Sequence, residues 1–530
     1  MNIPLTPVRF LRYSALQFPR KTAVACQGHR FTYAEFSDRV WRLSGALRAA
    51  GIRAGDRVAF LSLNCHRLLE AYFGVLEAGC VLLPLNIRLA GPELAYILND
   101  SGATVLFLEQ EFAGLVDSFR SQLRTVRAFY QLDGTPQAEW LSGSTYEQML
   151  TSPRYLQDVM DFDENSVAEM FYTSGTSAAP KGVMLTHRNV YLHAMNMAIH
   201  HHTRFEHVFL HTIPLFHANG WGGAHTITST GGMHVMLPRF VPEEVLRLID
   251  RERVSSLSLV PIMASALLNS PALSKYDLTS LEWIAIGGAA SSPALIRDVE
   301  QKIGCKCYSG YGLTECSPSL TSAELKPDML CASSDRYVIQ SMTGFAYPGG
   351  EVRVVDETDN EVPHDGVTMG EITARSDGVM AGYWGQPEAT AAALRGGWFH
   401  TGDLAVVAEN EYIRIVDRKK DTIVSGGENI SSLDVEKILL AHPDVFEAAV
   451  IAVVDDKWGE VPKAIVVAKP GSNLGEQELI EFCRSHMAHY KCPRSVVFCE
   501  SLPKTATGKV LKRMLRQLYQ PNSAPARSQD

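Results

Sequence analysis

The sequence predicts an α/β protein. A large N-terminal domain of parallel sheets covered by helices, with a β-rich subdomain, precedes a small α+β C-terminal domain. Three observations predict this. The chain has 530 residues, too many for one simple core. Short apolar runs alternate with longer segments of helical period. From about Gly349 the pattern turns to hairpins, and after "DRKKD" it becomes compact α+β.

In chain order, "RVAFLSLN" precedes "HRLLEAYFGVLEAG", and "ATVLFLEQ" precedes "FAGLVDSFRSQL". Later, "SSLSLVP" leads into "IMASALLN", and "LEWIAIGGAA" into "SPALIRDVEQKIG". Such alternation implies βαβ units, because parallel strands need a crossover that a helix supplies. "GEVRVVDETDNEVP", "GEITARS" and "LAVVAENEYIRIVDR" read as hairpins with polar turns. The basic cluster Arg418–Asp421 separates a hairpin from a new helical start. The expected organisation is therefore a domain over 1–417, its β-rich part at about 349–417, a joint at 418–421 and a second domain over 422–519. The tail "QPNSAPARSQD", residues 520–530, reads as disordered.

A net charge of -9 argues against a nucleic-acid binder, since a phosphate backbone demands a basic face. No apolar run approaches the ~18 residues of a membrane helix. "MNIPLTPVRFLRYSALQFPRK" lacks a secretory signal's basic start and apolar core. The ten cysteines are scattered, and Cys305 and Cys307 lack ligand spacing. Buried reduced thiols and a cytoplasmic setting are expected. The run His200–His202 does not read as a metal site, because consecutive residues on a helix point in different directions.

"FYTSGTSAAPKGVMLTH", Phe171 to His187, follows a short apolar run. Thr173, Ser174, Thr176 and Ser177 offer hydroxyls, Gly175 and Gly182 let backbone N–H groups approach an anion, and Lys181 supplies charge. This is not a Walker A loop, in which Gly-Lys-Ser/Thr opens a helix: Pro180 precedes the lysine here and Gly182 follows it. A solvated Ser/Thr loop is the plain alternative. "GYGLTE" ends in Glu315, a carboxylate suited to Mg²⁺, which takes oxygen ligands and leaves room for phosphate oxygens. "WFHTGDL" places Asp403 in a tight turn, and "PKTATGKVLKR" places Lys509 before a helix. Each signal is modest singly.

Together and in this order, "YTSGTSAAPKGVMLTH", "PLFHANGW", "AIGGAA", "YSGYGLTE", "GYWGQPEAT", "WFHTGDL", "DRKKDTIVSGGENIS" and "PKTATGK" resemble the adenylate-forming superfamily. That superfamily comprises acyl-CoA synthetases, nonribosomal-peptide adenylation domains and beetle luciferases. The resemblance extends to about Tyr519 and implies that a large domain binds ATP and a carboxylic acid while a small mobile domain closes over them. It assigns Thr173, Ser174, Gly175, Thr176 and Lys181 to the β- and γ-phosphates. Gly288, Ala289 and Ala290 line the adenine, with Tyr311 stacked on it. Thr314 meets the α-phosphate and Glu315 holds Mg²⁺. Asp403 accepts the ribose hydroxyls, helped by Arg418, and Lys509 joins carboxylate to α-phosphate. The implied catalytic residues are Lys509, Glu315 and Thr173. Joining two anions needs cations and proximity, and no general base, because the carboxylate is already ionised. The chain departs from the family loop at Ala178, where glycine is usual.

For the acid, His217 stands where amino-acid-activating relatives place an aspartate. Gly312 stands where acetate-specific relatives block the pocket with tryptophan, and Trp221 resembles the gate of long-chain fatty acyl-CoA synthetases. A medium- or long-chain fatty acid leads, with branched, sulfur-containing or aryl acids as alternatives. For the acceptor, Gly426 and Gly427 in "VSGGENIS" resemble the lining of a pantetheine tunnel, and Lys420 occupies the hinge position. Coenzyme A is the expected acceptor. A phosphopantetheinyl carrier protein, a luciferase-like oxygenase and an inactive nucleotide-binding regulator remain alternatives. The sequence leaves the oligomeric state open, a homodimer included.

Overall fold

The structure, a computed structural model, describes every residue except 1, 137, 174–178, 330–335, 427, 456, 505–509 and 520–530. The expected phosphate-loop residues Ser174, Gly175, Thr176 and Ala178, together with Gly427, Lys509 and the tail, lie outside the described residues. The chain divides into two compact units: Met1–Val352 with Ala374–Phe399, and Arg353–Thr373 with His400–Asp530.

Among the described residues, the first unit is built on two sheets. One has nine strands, in the order Phe345–Ala346, Ser319–Ser322, Lys306–Gly312, Trp283–Ile286, Ser256–Leu259, Val208–His211, Met233–Met236, Thr22–Cys26 and His29–Thr32. From Lys306–Gly312 to Thr22–Cys26 every neighbouring pair is parallel. The other has seven strands and runs Gly382–Tyr383, Lys181–Thr186, Val167–Thr173, Val81–Pro84, Arg57–Leu61, Val105–Leu108, Ala128–Gln131. Its last five are joined in parallel, while Lys181–Thr186 runs antiparallel to both its neighbours. The alternation read from the sequence thus yields parallel sheets with helices between strands.

Local chemistry fixes the helices. Thr32 caps Tyr33–Ala49 reciprocally with Glu35, and the apolar face of that helix packs into a core with Phe60, Leu68 and Phe73. Helix Pro242–Glu252 buries Val245, Leu246, Leu248 and Ile249, a 3.6-residue stripe, and stops at Arg253. "FAGLVDSFRSQL" is not one helix. It breaks into 3₁₀ turns Gln110–Phe112 and Arg120–Gln122 around a short helix Ala113–Asp117. The Ser118 hydroxyl donates to the Leu115 carbonyl there and so competes with the helical ladder.

Strands Gly350–Val355, Gly370–Ser376, Phe399–Val407 and Ile413–Arg418 lie side by side in that order, with most of their residues in the second unit. The turn in "VVDETDNE" forms because the Asp356 carboxylate accepts from the backbone N–H groups of Thr358 and Asn360. A further sheet orders Glu428–Ile430, Ile423–Ser425, Gly459–Ala468 and Val445–Asp455, with Ser495–Phe498 parallel to Gly459–Ala468. Helices Ser432–Ala441 and Glu476–His486 bury Val435, Leu439, Leu479 and Ile480 in its core.

All described cysteines are unpaired thiols and all but Cys499 are buried. Burial pushes the Cys65 and Cys305 thiols up to about 12. His201 stacks on Trp283 with ring centroids 4.6 Å apart and bonds the Tyr308 hydroxyl at 3.0 Å, so its ring belongs to an aromatic cluster. Among the described residues, no helix is long and apolar enough to cross a membrane.

Candidate active site

In the first unit the candidate site begins at the mouth of the expected phosphate loop. Strands Val167–Thr173 and Lys181–Thr186 pair so that Thr173 lies opposite Lys181 and Tyr172 opposite Gly182. Both ends of the loop are therefore held by one ladder. Gly182 is closely packed: a Cβ there would lie 3.0 Å from the Tyr172 ring and 3.2 Å from Trp384.

The Lys181 ammonium sits 4.7 Å from the centre of the Tyr383 ring. The Tyr383 hydroxyl donates to Glu315 Oε1 at 3.0 Å. Burial, helped by Glu315, pushes the Tyr383 phenol far above its usual range and keeps it a donor. Glu315 is anchored by its backbone too, since its carbonyl accepts from Met380 N–H at 2.8 Å. Two residues later, the Ser317 hydroxyl donates to the Gly378 carbonyl at 2.7 Å. A lysine at the phosphate loop and a carboxylate fit for Mg²⁺ are thus joined through one tyrosine. The sequence analysis assigned Tyr383 no role, although it lies in the quoted "GYWGQPEAT". The missed signal was the one phenol in that motif.

Strands Trp283–Ile286 and Lys306–Gly312 are parallel neighbours, with Ile286 opposite Ser309. Their carboxyl ends open on the same edge of the sheet, where α/β proteins place ligands. Gly288, Ala289 and Ala290 follow the first strand, and Tyr311, Gly312, Thr314 and Glu315 end or follow the second. The predicted adenine and α-phosphate residues are therefore brought together. Gly288 has φ = 78°, a conformation that favours glycine. Gly312 answers to a different constraint: a Cβ there would fall 1.9 Å from the Pro318 carbonyl oxygen. Backbone packing alone demands glycine at this point, whatever the acyl pocket requires.

His217 and Trp221 flank a turn of unusual hand. Ala218, Asn219, Gly220, Trp221 and Gly222 have φ of 37°, 48°, 65°, 55° and 85°. This is a left-handed helical turn, which L-residues avoid because Cβ crowds the following carbonyl. Trp221 emerges half-buried, its indole 3.1 Å from where a Gly287 Cβ would be and 3.2 Å from a Gly288 Cβ. The segment before the turn is held by Asn64, which donates to the carbonyls of His211 and Ile213 and accepts from Leu215 N–H. Within the turn, Asn219 Nδ2 donates to Glu169 Oε2 at 2.9 Å, and Gly222 N–H donates to Asn219 Oδ1 at 2.7 Å. No local pattern around Glu169 or Asn219 marks either of them out.

In the second unit, Asp403 lies opposite Arg418 on antiparallel strands, and its Oδ1 is 3.2 Å from Arg418 Nε. The predicted ribose pair is therefore adjacent. Asp403 N–H donates to Thr401 Oγ1, and Gly402, at φ = 73°, makes the turn. Lys420 is exposed in the turn Arg418–Asp421, where Asp421 N–H donates to the Arg418 carbonyl. Partial burial, with Arg418 nearby, pushes its ammonium below the usual range. Asp421 pairs with Arg516 at 2.5 Å. Gly426 has φ = 60°, and a Cβ there would lie 2.7 Å from the Trp458 indole, which covers it.

The comparisons agree with this architecture. The model for the AMP-binding enzyme family matches residues 11–384, and that for the AMP-binding enzyme C-terminal domain matches residues 434–509. The chain is 38% identical over 520 residues to a long-chain-fatty-acid–CoA ligase of Thermus thermophilus, covering 96% of this chain and 95% of that protein. It is 35% identical over 518 residues to 4-hydroxybutyrate–CoA ligase 2 of Metallosphaera sedula, covering 97% and 94%. The crystal structure of an anthranilate CoA ligase in complex with anthranoyl-AMP superposes with a TM-score of 0.87 at 27% identity, covering 98% of each chain. The chain therefore belongs to the AMP-binding enzyme family, within the acyl-CoA synthetase branch of the adenylate-forming superfamily.

Proposed function

We propose that the protein is an ATP-dependent, AMP-forming carboxylic acid–CoA ligase that works through an acyl-adenylate, with a medium- or long-chain fatty acid as substrate. The observation that carries the reading is the chain Lys181–Tyr383–Glu315 beside the strand ends that bear Gly288 and Tyr311. It joins a cation for a polyphosphate, carried by the seven-stranded sheet, to a carboxylate for its metal, just past a strand end of the nine-stranded sheet.

In the first half-reaction the acid's carboxylate oxygen attacks the α-phosphorus, and the bond to pyrophosphate breaks. Lys181 offsets charge on the outer phosphates, and Thr173 meets them from the opposite strand. Thr314 and Lys509 serve the α-phosphate, while Asp403 and Arg418 serve the ribose. Glu315 fits Mg²⁺ by its donor chemistry, an oxygen ligand held in place by Tyr383, and the ion would neutralise phosphate charge. In the second half-reaction the CoA sulfur attacks the acyl carbon and AMP leaves. Lys420 is the pivot between the two halves, and Gly426 and Gly427 border the thiol's path. Ala178, outside the described residues, stiffens the phosphate loop in this reading.

The fatty-acid assignment rests on His217 in place of an aspartate and on Trp221 against Gly287 and Gly288. Relatives named for a hydroxy acid, a fatty acid and an aryl acid leave the choice to experiment. We place the reaction in the cytoplasm, where ATP, CoA and reduced thiols coexist. The test is a panel of carboxylic acids with ATP, Mg²⁺ and CoA, scored for pyrophosphate and thioester. Thioester from octanoate or dodecanoate is expected. Pyrophosphate without CoA thioester, with transfer to a holo carrier protein, would overturn the acceptor. Light or oxygen consumption with an acyl-adenylate would indicate the oxygenase.

A further inference from the structure

Glu169 is wholly buried on the strand Val167–Thr173, the strand that ends at the phosphate loop. Both its carboxylate oxygens are used. Oε1 takes His225 Nε2 at 2.5 Å, and Oε2 takes Asn219 Nδ2 at 2.9 Å. His225 is buried and held edge-on by Tyr72 and Phe73, with centroids 5.7 Å and 5.2 Å away. It sits on helix Gly223–Thr230, which starts where the left-handed turn ends. Asn219 lies in the turn itself and bonds Gly222 N–H from within. One carboxylate therefore grips the turn from both sides.

The turn needs such a grip. Ala218, Asn219 and Trp221 are not glycine, yet all have positive φ. A backbone of that hand persists only where its surroundings over-determine it. Trp221 then stands against Gly287 and Gly288, at the edge where the adenine residues lie.

The geometry points to Glu169 as a positioning residue for acid selection: through Asn219 and His225 it fixes the left-handed turn, and so the place where Trp221 bounds the acyl site. This rests on the reading of Trp221 as part of the acyl site. Glu169 touches no substrate in it. A carboxylate suits the role because both partners are donors and it accepts at both oxygens. Glutamine can serve partly, because His225 can move its proton to the other ring nitrogen and accept. Alanine leaves two buried donors without acceptors.

The test compares wild type, Glu169→Gln, Glu169→Ala and Asn219→Gly, with butyrate, octanoate and dodecanoate as probes and ATP-dependent pyrophosphate release as readout. Asn219→Gly tolerates the left-handed backbone but deletes both side-chain bonds, so it covers the case in which Glu169→Ala fails to fold. The expected result is a rise of roughly tenfold or more in the KM of the preferred acid and a flattened chain-length ranking in Asn219→Gly and Glu169→Ala, the scale of pocket discrimination. The KM for ATP should not move, and Glu169→Gln should keep the wild-type ranking. A merely structural role would shift the KM for acid and the KM for ATP together, and that result overturns the inference. So does an unchanged acid ranking in Asn219→Gly while wild type shows a clear one. A wild type that activates none of the acids overturns the fatty-acid reading, and the inference falls with it.

Discussion

Replacing Tyr383 by phenylalanine removes one oxygen and little else. The ring that Lys181 faces at 4.7 Å remains, but the hydroxyl that donates to Glu315 at 3.0 Å is lost. A hydrogen bond to a charged group contributes about 1.5–3 kcal/mol. Glu315 is half-buried, so water can replace part of the loss, which favours the lower end of that range. About 1.5 kcal/mol is roughly tenfold in an equilibrium constant. If Tyr383 holds Glu315 ready for Mg²⁺, Tyr383→Phe should raise the free Mg²⁺ needed for half-maximal pyrophosphate release by about tenfold. Tyr383→Leu also removes the ring, and should weaken ATP binding by about a further 0.5–1 kcal/mol through Lys181. The assay is pyrophosphate release titrated with free Mg²⁺, then with ATP, on proteins checked for folding. An identical Mg²⁺ dependence in wild type and Tyr383→Phe would refute the link from Tyr383 to the metal.

Three further outcomes are expected. Gly312→Trp would test the acyl pocket only if the backbone accepted a side chain. With a Cβ 1.9 Å from the Pro318 oxygen, even Gly312→Ala should lose about 1–3 kcal/mol in denaturant unfolding, and an unchanged midpoint would show that the backbone around Gly312 and Pro318 relaxes. Lys509→Ala should abolish adenylate formation yet spare thioester formation from supplied acyl-adenylate; equal loss of both, in a folded protein, would refute that division. Burial pushes His66, His193 and His211 down to about 3 and His187 to about 4, so all four are neutral when folded. The unfolded chain binds their protons near pH 6.5, so stability is intact above that and falls as pH drops toward 3–4. Each contributes roughly 1.4 kcal/mol per pH unit in that window. Denaturant midpoints at pH 7.5 and 5.5 check this, and equal midpoints would contradict it.

The periodicity of single segments was enough to locate most strands and helices, because burial on one or both faces is written into each segment's own residues. The alternation of "LEWIAI" with a helical run already implied parallel strands, while Gly288 and Tyr311 were singled out only by the family resemblance. Asp403 and Arg418 were paired by the resemblance alone, and the structure sets them opposite one another by hairpin register. Long-range polar contacts were not legible. Nothing local in Tyr383 says that its strand pairs with Lys181–Thr186, or that its hydroxyl meets Glu315. Nothing in "HANGW" beyond its glycine announces five left-handed residues, because Ala218 and Trp221 disfavour that backbone and the turn stands with Glu169, Asn64 and His225 around it. Gly312 shows the difference most plainly. The sequence determined that no side chain is present there; only the approach of the Pro318 carbonyl decided why, since that is a distance between backbones and no residue type encodes it.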